Sequence, residues 1–135
     1  MNIMNIDKIT PSGIRMMDGT TEPATLPNLM FIATECDNQA CGLETARDAL
    51  NELYNVKRER MGHLNRQMIN SMYGQAIVSK STQWDVTQLS QQIDGAVAVM
   101  EGIDLSIKTI IITRTSLLSL GQTAKMLLRE RGVII

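Results

Sequence analysis

The stretch that decides the fold runs from Asp104 to Leu120 and reads DLSIKTIIITRTSLLSL, with Lys108 and Arg114 inside an apolar, β-branched run. Such a run can cross a membrane, form a strand or lie along one side of a helix. A membrane-spanning helix needs about 20 mostly apolar residues, and a central charge costs about 2.5 to 3.5 kcal/mol on insertion. Because charges recur throughout this stretch, we expect no transmembrane span.

A heptad repeat decides between strand and helix. The residues from Ile110 to Thr115 favour a strand, but the isoleucines among them show no in–out alternation. Apolar positions spaced three and four residues apart continue on both sides, over about six heptads interrupted mainly at Arg114 and Gly121. The sequence therefore predicts a long helix. We call this line of positions the heptad face, and it consists of Val86, Leu89, Ile93, Ala96, Met100, Ile103, Ile107, Ile110, Arg114, Leu117, Gly121, Ala124 and Leu128.

A second helical period precedes this helix and extends from Asn28 to about Tyr73. Asn28, directly after Pro27, is a predicted cap for its first turn. Gly42 and Gly62 each weaken the middle by about 1 kcal/mol relative to alanine. One continuous helix and two collinear helices both remain open.

Loop chemistry separates and flanks the helices. The link QAIVSKSTQWD, residues 75–85, predicts the turn of an antiparallel hairpin, and Gly132 predicts the end of the second helix. Residues 1–27 carry turn residues without a sustained period and predict a flexible N-terminal arm; their scattered isoleucines and methionines equally allow part of it to dock on a neighbouring surface. We expect an all-α fold: this arm, followed by a helical hairpin or coiled-coil-like bundle over residues 28–135.

More apolar side chains are present than two helices can bury against each other. Several, including Val99, Ile112 and Leu118, lie off the heptad face. Because leaving them exposed favours aggregation, we expect further chains, either copies of this one or a dedicated partner. Arg114 either specifies the register, in which case it needs a carboxylate or polar partner, or marks where the apolar line drifts outward. The small residue Gly121 either allows a close helix approach or reflects ordinary variation in core size. The residues predicted to form the interface are Leu89, Ile93, Ala96, Met100, Ile103, Ile107, Ile110, Leu117, Ala124 and Leu128.

Composition and motifs narrow the function. The net charge of -1 gives no broad basic field, so we expect no nucleic-acid partner. Cys36 and Cys41 are poorly placed for a disulfide within one helix, and with His63 they fall short of a structural zinc set; we expect buried reduced thiols. No catalytic or phosphate-binding motif is present. We therefore expect neither an enzyme nor a bound cofactor or metal.

The basic stretch from Asn55 to Gln67 contains Lys57, Arg58 and Arg60 with little opposing charge. Such a run is usually the solvated side of a long helix. The alternative is a regulatory protein that uses this stretch to bind an acidic partner.

The second helix ends in TAKMLLRERG and follows a short loop and an N-terminal segment without a secretory signal. In these features, and in Leu127, Leu128 and Arg129, residues 83–131 resemble the inner-rod and needle subunits of bacterial type III secretion systems. The resemblance implies a structural subunit that assembles with itself or with other apparatus subunits. It also implies synthesis in the cytoplasm and export without a cleaved signal. The alternative function is a cytoplasmic secretion chaperone or adaptor that binds a client helix.

Overall fold

Two long helices make up most of the chain. The structure, a computed structural model, describes residues 1–75 and 80–134, and the side chains of residues 1–70 and 86–134. Helix α1 spans Leu26–Gln75 and helix α2 spans Lys80–Glu130. They run antiparallel and pack together, which confirms the helical hairpin. Of the link predicted over residues 75–85, Gln75 belongs to α1 and residues 80–85 belong to α2, so the second helix begins earlier than expected; residues 76–79 lie outside the described residues.

Helix α1 is continuous through Gly42 and Gly62, so the two-helix alternative is excluded. It begins two residues before the predicted start at Asn28, and its cap is Thr25, whose hydroxyl accepts a hydrogen bond from the backbone N–H of Asn28 at 3.3 Å. A threonine at this position satisfies one of the free N–H groups of the first turn. Pro27 fits inside the first turn because no helical hydrogen bond is required of its nitrogen there.

The N-terminal segment forms a small sheet, which corrects the all-α prediction. After a 3-10 turn at Ile3–Asn5 come strands β1 (Ile6–Thr10), β2 (Gly13–Met16) and β3 (Thr21–Glu22). The strands are antiparallel in the order β1-β2-β3. The fold is therefore a mostly helical hairpin with a three-stranded sheet at its N-terminus, and not strictly all-α.

A bulge in β1 explains how this sheet buries one side. The pairing of β1 with β2 shifts between Ile6 and Lys8, so Asp7 is the extra residue. Ile6 and Ile9 are consequently both buried although they are three residues apart. In β2 the ordinary alternation holds from Ile14 to Met16, since these two side chains are buried while Arg15 between them is exposed. The buried side chains of the sheet join the core of the helices.

The end of α2 at Glu130 confirms the stop predicted at Gly132. Gly132 has φ 85°, a left-handed conformation that glycine adopts without steric cost. The N–H of Gly132 donates to the carbonyl of Arg129 at 3.0 Å, and that of Val133 donates to the carbonyl of Leu128 at 2.9 Å. This pair of bonds is the Schellman motif. It turns Val133 back onto the core, where it packs half-buried.

Contacts divide the chain into two compact units. Unit 1 comprises Met1–Ala46 and Ile110–Ile135, and unit 2 comprises Arg47–Thr109. The core of unit 1 combines the sheet with both helices and contains Ile3, Ile6, Ile9, Ile14, Met16, Ala24, Leu29, Ile32, Ala33, Cys36, Leu117, Ala124, Leu127 and Leu128. Among the residues of unit 2 whose side chains the structure describes, the buried ones are Leu64, Met100, Ile103 and Ile107.

Arg131 connects the C-terminal turn of unit 1 to its N-terminal segment. Its guanidinium donates to the carbonyl of Ala24, just before α1, and to the carbonyl of Pro11 at 3.1 Å, in the turn between β1 and β2. Two charge-assisted bonds from one planar group fix both acceptors in orientation. The N-terminal segment is thus held in place by hydrogen bonds as well as by its isoleucines.

Candidate interaction surfaces

The heptad face of α2 is the side that packs within the chain. In unit 1, Leu117, Ala124 and Leu128 share one core with Ile32 and Cys36 of α1. The role of the heptad face in binding a second chain stays a prediction, because its observed contacts are intramolecular. Of the residues predicted for the interface, Met100, Ile103, Ile107, Leu117, Ala124 and Leu128 are buried, and Leu89, Ile93, Ala96 and Ile110 are half-buried.

The helices of unit 1 approach each other closely at Gly121. A Cβ atom built on Gly121 would lie 3.1 Å from the Cβ of Cys36, nearer than side chains normally pack. The short residue predicted to admit another helix therefore admits α1 of the same chain. Beside it, the ammonium of Lys125 contacts the Asp37 carboxylate at 2.8 Å. A close backbone approach and a flanking ion pair together fix the register of the two helices.

Arg114, the charged member of the heptad face, has a carboxylate partner, which agrees with the first of its two sequence interpretations. Its guanidinium lies 3.3 Å from the Glu44 carboxylate, and its side chain is 30% exposed. The Arg114 Nε atom is buried without a hydrogen-bond partner. The pair sits at the margin of the helix contact, where a partly solvated ion pair contributes about 0 to 1 kcal/mol. Its main effect is to specify the register, since a slip would leave the guanidinium unpaired.

The two cysteines occupy different environments, which corrects the prediction that both thiols are buried. Cys36 is fully buried and Cys41 is exposed, and both are free. Burial, with smaller contributions from the carboxylates of Asp37 and Glu35, raises the pKa of the Cys36 thiol to about 11. A thiol kept neutral in this way is a poor nucleophile. Cys36 therefore acts as a small apolar residue beneath Gly121.

His63 lies on the exposed side of α1, where its Nε2 is 3.1 Å from the side-chain amide of Gln67 one turn later. Within the described residues, no group of three histidine, cysteine or acidic side chains is arranged to hold a metal ion.

A groove in unit 1 lies between the N-terminal segment and α2. Its volume is about 410 Å³ and it is open to solvent. Met17 and Ile112, on its two sides, are each 69% exposed, which is unusual for large apolar side chains. The groove is lined by Ile3, Met4, Ile6, Asp7, Met17, Ile112, Thr113, Ser116, Leu117, Ser119 and Leu120.

Unit 2 also presents large apolar side chains to solvent on both of its helices. On α1, Leu53 is 42% and Val56 is 60% exposed; on α2, Val99 is 48% and Leu105 is 65% exposed. These positions fall outside the heptad face. The sequence shows apolar residues on other sides of α2, but it does not single out Leu105. The residues three and four positions away from Leu105 are small or polar, so no apolar period passes through it.

The basic stretch of α1 also lies in unit 2. Arg58, Arg60 and Arg66 are exposed, and Lys57 is half-buried. This arrangement is the one expected of a solvated helix side. The binding of an acidic partner here stays a prediction.

Comparisons with models of known protein families, with curated proteins and with solved structures found no match to this chain. Across the described residues, neither helix has an apolar stretch of the length needed to cross a membrane. The surfaces themselves are therefore the basis for any functional proposal.

Proposed function

We propose that this chain is a structural subunit that assembles with copies of itself through its helices. The observation that carries the proposal is the set of apolar side chains left in solvent after the hairpin has formed its core. Val56, Leu105, Ile112 and Met17 are 60% to 69% exposed, although other apolar residues of the same two units are buried. Burying one such side chain completely contributes roughly 1.5 to 3 kcal/mol. Association that buries several of these side chains at once therefore contributes several kcal/mol of favourable free energy.

The resemblance to inner-rod and needle subunits suggests the apparatus in which this subunit would assemble. It assigns the chain to a bacterial type III secretion apparatus, to which it is exported without a cleaved signal. The role is structural and does not require catalysis. A tagged chain expressed in cells with and without a working apparatus tests this part: export that depends on the apparatus supports it, and equal retention in both strains refutes it.

A second function, a secretion chaperone or adaptor, is favoured by the groove of unit 1. Met4 and Met17 stand on its N-terminal side, opposite Ile112 and Leu120 of α2. Methionine side chains are flexible and polarisable, and they adapt to apolar partners of varied shape. An amphipathic client helix could place its apolar side along such a groove.

The two functions differ in their behaviour on dilution. We expect light-scattering masses of the purified full chain to rise with concentration well above the monomer value if the subunit proposal is correct. A constant monomer mass, together with saturable binding of a synthetic amphipathic helix that is lost in Met17→Asp, would instead support the chaperone. Asn51→Asp is the matched control, because it also replaces an exposed neutral side chain with a carboxylate and lies outside the groove.

A further inference from the structure

Helix α2 carries a second regular line of residues in unit 2, on the side opposite its heptad face. We call it the outer face; it consists of Gly95, Ala98, Gly102, Leu105 and Thr109. The spacing alternates between three and four residues, as in a coiled-coil contact line. All five residues are exposed. A Cβ atom added at Gly95 or Gly102 would meet no other atom within 4 Å, so this side of the helix is open.

The order of small and large residues makes the outer face complementary to itself in one orientation. The first three residues of the outer face, up to Gly102, have small side chains or none. The next residue is Leu105, whose large side chain is 65% exposed. In heptad notation Gly95, Gly102 and Thr109 are a positions, and Ala98 and Leu105 are d positions. When two copies meet antiparallel, each a position faces a d position of the other helix. Leu105 of one copy then lies over Gly102 of the second copy, and Thr109 lies over Ala98. A parallel pair would instead stack leucine on leucine and leave the glycine layers empty.

Charges beside the outer face favour the same orientation. Glu101 and Lys108 are both exposed and lie seven residues apart, so they border the face on the same side. Reversing the direction of the second copy brings its Lys108 opposite Glu101, and the two-fold symmetry repeats the contact. Lys108 already contacts Asp104 at 2.9 Å within the chain, but it is 67% exposed and its ammonium has further donors.

We propose that two copies of this chain form an antiparallel pair through the outer face of α2, with Leu105 packed over Gly102 and Glu101 paired with Lys108 in both directions. This inference rests on the proposed function, since it identifies the partner of the subunit as a second copy and the contact as this face. The apolar contact supplies the affinity, and the charges select the antiparallel orientation.

Charge reversal tests the orientation. Glu101→Lys places two lysines together at each contact, and Lys108→Glu places two glutamates together, so each variant alone should raise the dissociation constant ~10-fold or more. An equimolar mixture of the two single variants should associate again, because every contact then joins opposite charges. The double variant Glu101→Lys/Lys108→Glu should also recover. Arg58→Glu, with the same change in net charge as Lys108→Glu, is the control and should associate like the wild type.

A steric variant tests the packing independently. Gly102→Leu adds a side chain where the single chain has open space, so the fold should persist, but it collides with Leu105 of the second copy. Gly42→Leu, also in open space on a helix, is the matched control. Sedimentation velocity across a dilution series measures association, and circular dichroism of each variant confirms its helical content.

The outcomes separate this inference from the proposed function. Loss of association in the single charge variants and in Gly102→Leu, with recovery in the mixture, supports the antiparallel pair. If the wild type associates and these variants associate equally well, the outer face is wrong while self-assembly stands. If the wild type remains a monomer at every concentration, self-assembly and the antiparallel pair are both refuted.

Discussion

Replacing Gly121 with alanine tests the helix contact on which the fold of unit 1 depends. In an isolated helix this change is favourable by about 1 kcal/mol, because alanine has the higher helix propensity. Here the new methyl group would lie 3.1 Å from the Cβ of Cys36 and 4.0 Å from its Sγ. A Cβ atom is fixed to its backbone and cannot rotate away. Relief therefore requires α1 and α2 to move apart or to shift along each other.

The magnitude follows from these two opposing effects. Overpacking a well-filled core costs typically about 1 to 3 kcal/mol, and Cys36 is fully buried in such a core. We expect Gly121→Ala to lower the free energy of unfolding by up to about 2 kcal/mol after the gain in propensity is subtracted. Gly42→Ala is the matched control, since nothing lies within 4 Å of its added Cβ. It should stabilise the chain by up to about 1 kcal/mol.

Urea unfolding followed by circular dichroism, at a concentration where the variants have the same mass, measures both changes. A double-mutant cycle with Cys36→Gly makes the test specific: removing the facing Cβ should reduce the cost of alanine at position 121, with a coupling of about 0.5 to 3 kcal/mol. Gly42→Ala should add to Cys36→Gly without coupling. If Gly121→Ala stabilises the chain as much as Gly42→Ala does, the helices do not approach closely at this glycine and the argument fails.

Four further predictions concern unit 1. Arg131→Ala removes charge-assisted hydrogen bonds to two backbone carbonyls and should destabilise the chain by roughly 1 to 3 kcal/mol in urea unfolding. Arg129→Ala is the control and should have little effect. Equal losses of stability in the two variants would contradict the connection to the N-terminal segment. Because the pKa of Cys36 is raised from 9.0 to about 11, its contribution to stability is complete below pH 9 and is lost as the pH rises towards 11; the decline attributable to this thiol should be absent in Cys36→Ala. In the native chain a thiol reagent should modify Cys41 rapidly and Cys36 only on unfolding, and equal rates would contradict the burial of Cys36. Ile14→Ala should cost about 2 to 5 kcal/mol in thermal or urea unfolding, because this side chain is fully buried; a loss well below 1 kcal/mol would show that the sheet does not share the core.

The helices could be predicted from the sequence because each leaves a long periodic signal. The heptad face of α2 gives many repetitions of one spacing, and that outweighs the local strand preference of Ile110, Ile111 and Ile112. Of these three, Ile110 is half-buried while Ile111 and Ile112 are exposed. Their β-branched side chains thus lie on the helix surface at a modest cost in propensity.

The sheet could not be predicted in the same way, because its signal is short and interrupted. The bulge at Asp7 places Ile6 and Ile9 on one side of β1 at a spacing of three, which hides the alternation that identifies a strand. The bonds from Arg131 to the N-terminal segment are also invisible in the sequence, since they join residues more than a hundred positions apart. What the sequence does show is a scatter of isoleucines too apolar for a solvated tail, and those side chains are the ones that dock.

The binding of a second chain by the heptad face stays a prediction, and the structure gives this face a role within the chain. Met100, Ile103 and Ile107 are buried in unit 2 by the chain itself. The heptad face is therefore largely buried in the single chain, without a second one. Part of the apolar surface that remains is on the other side, where Leu105 stands among small residues. The hairpin covers the heptad face, and a second chain on the outer face would cover Leu105, which is otherwise 65% exposed.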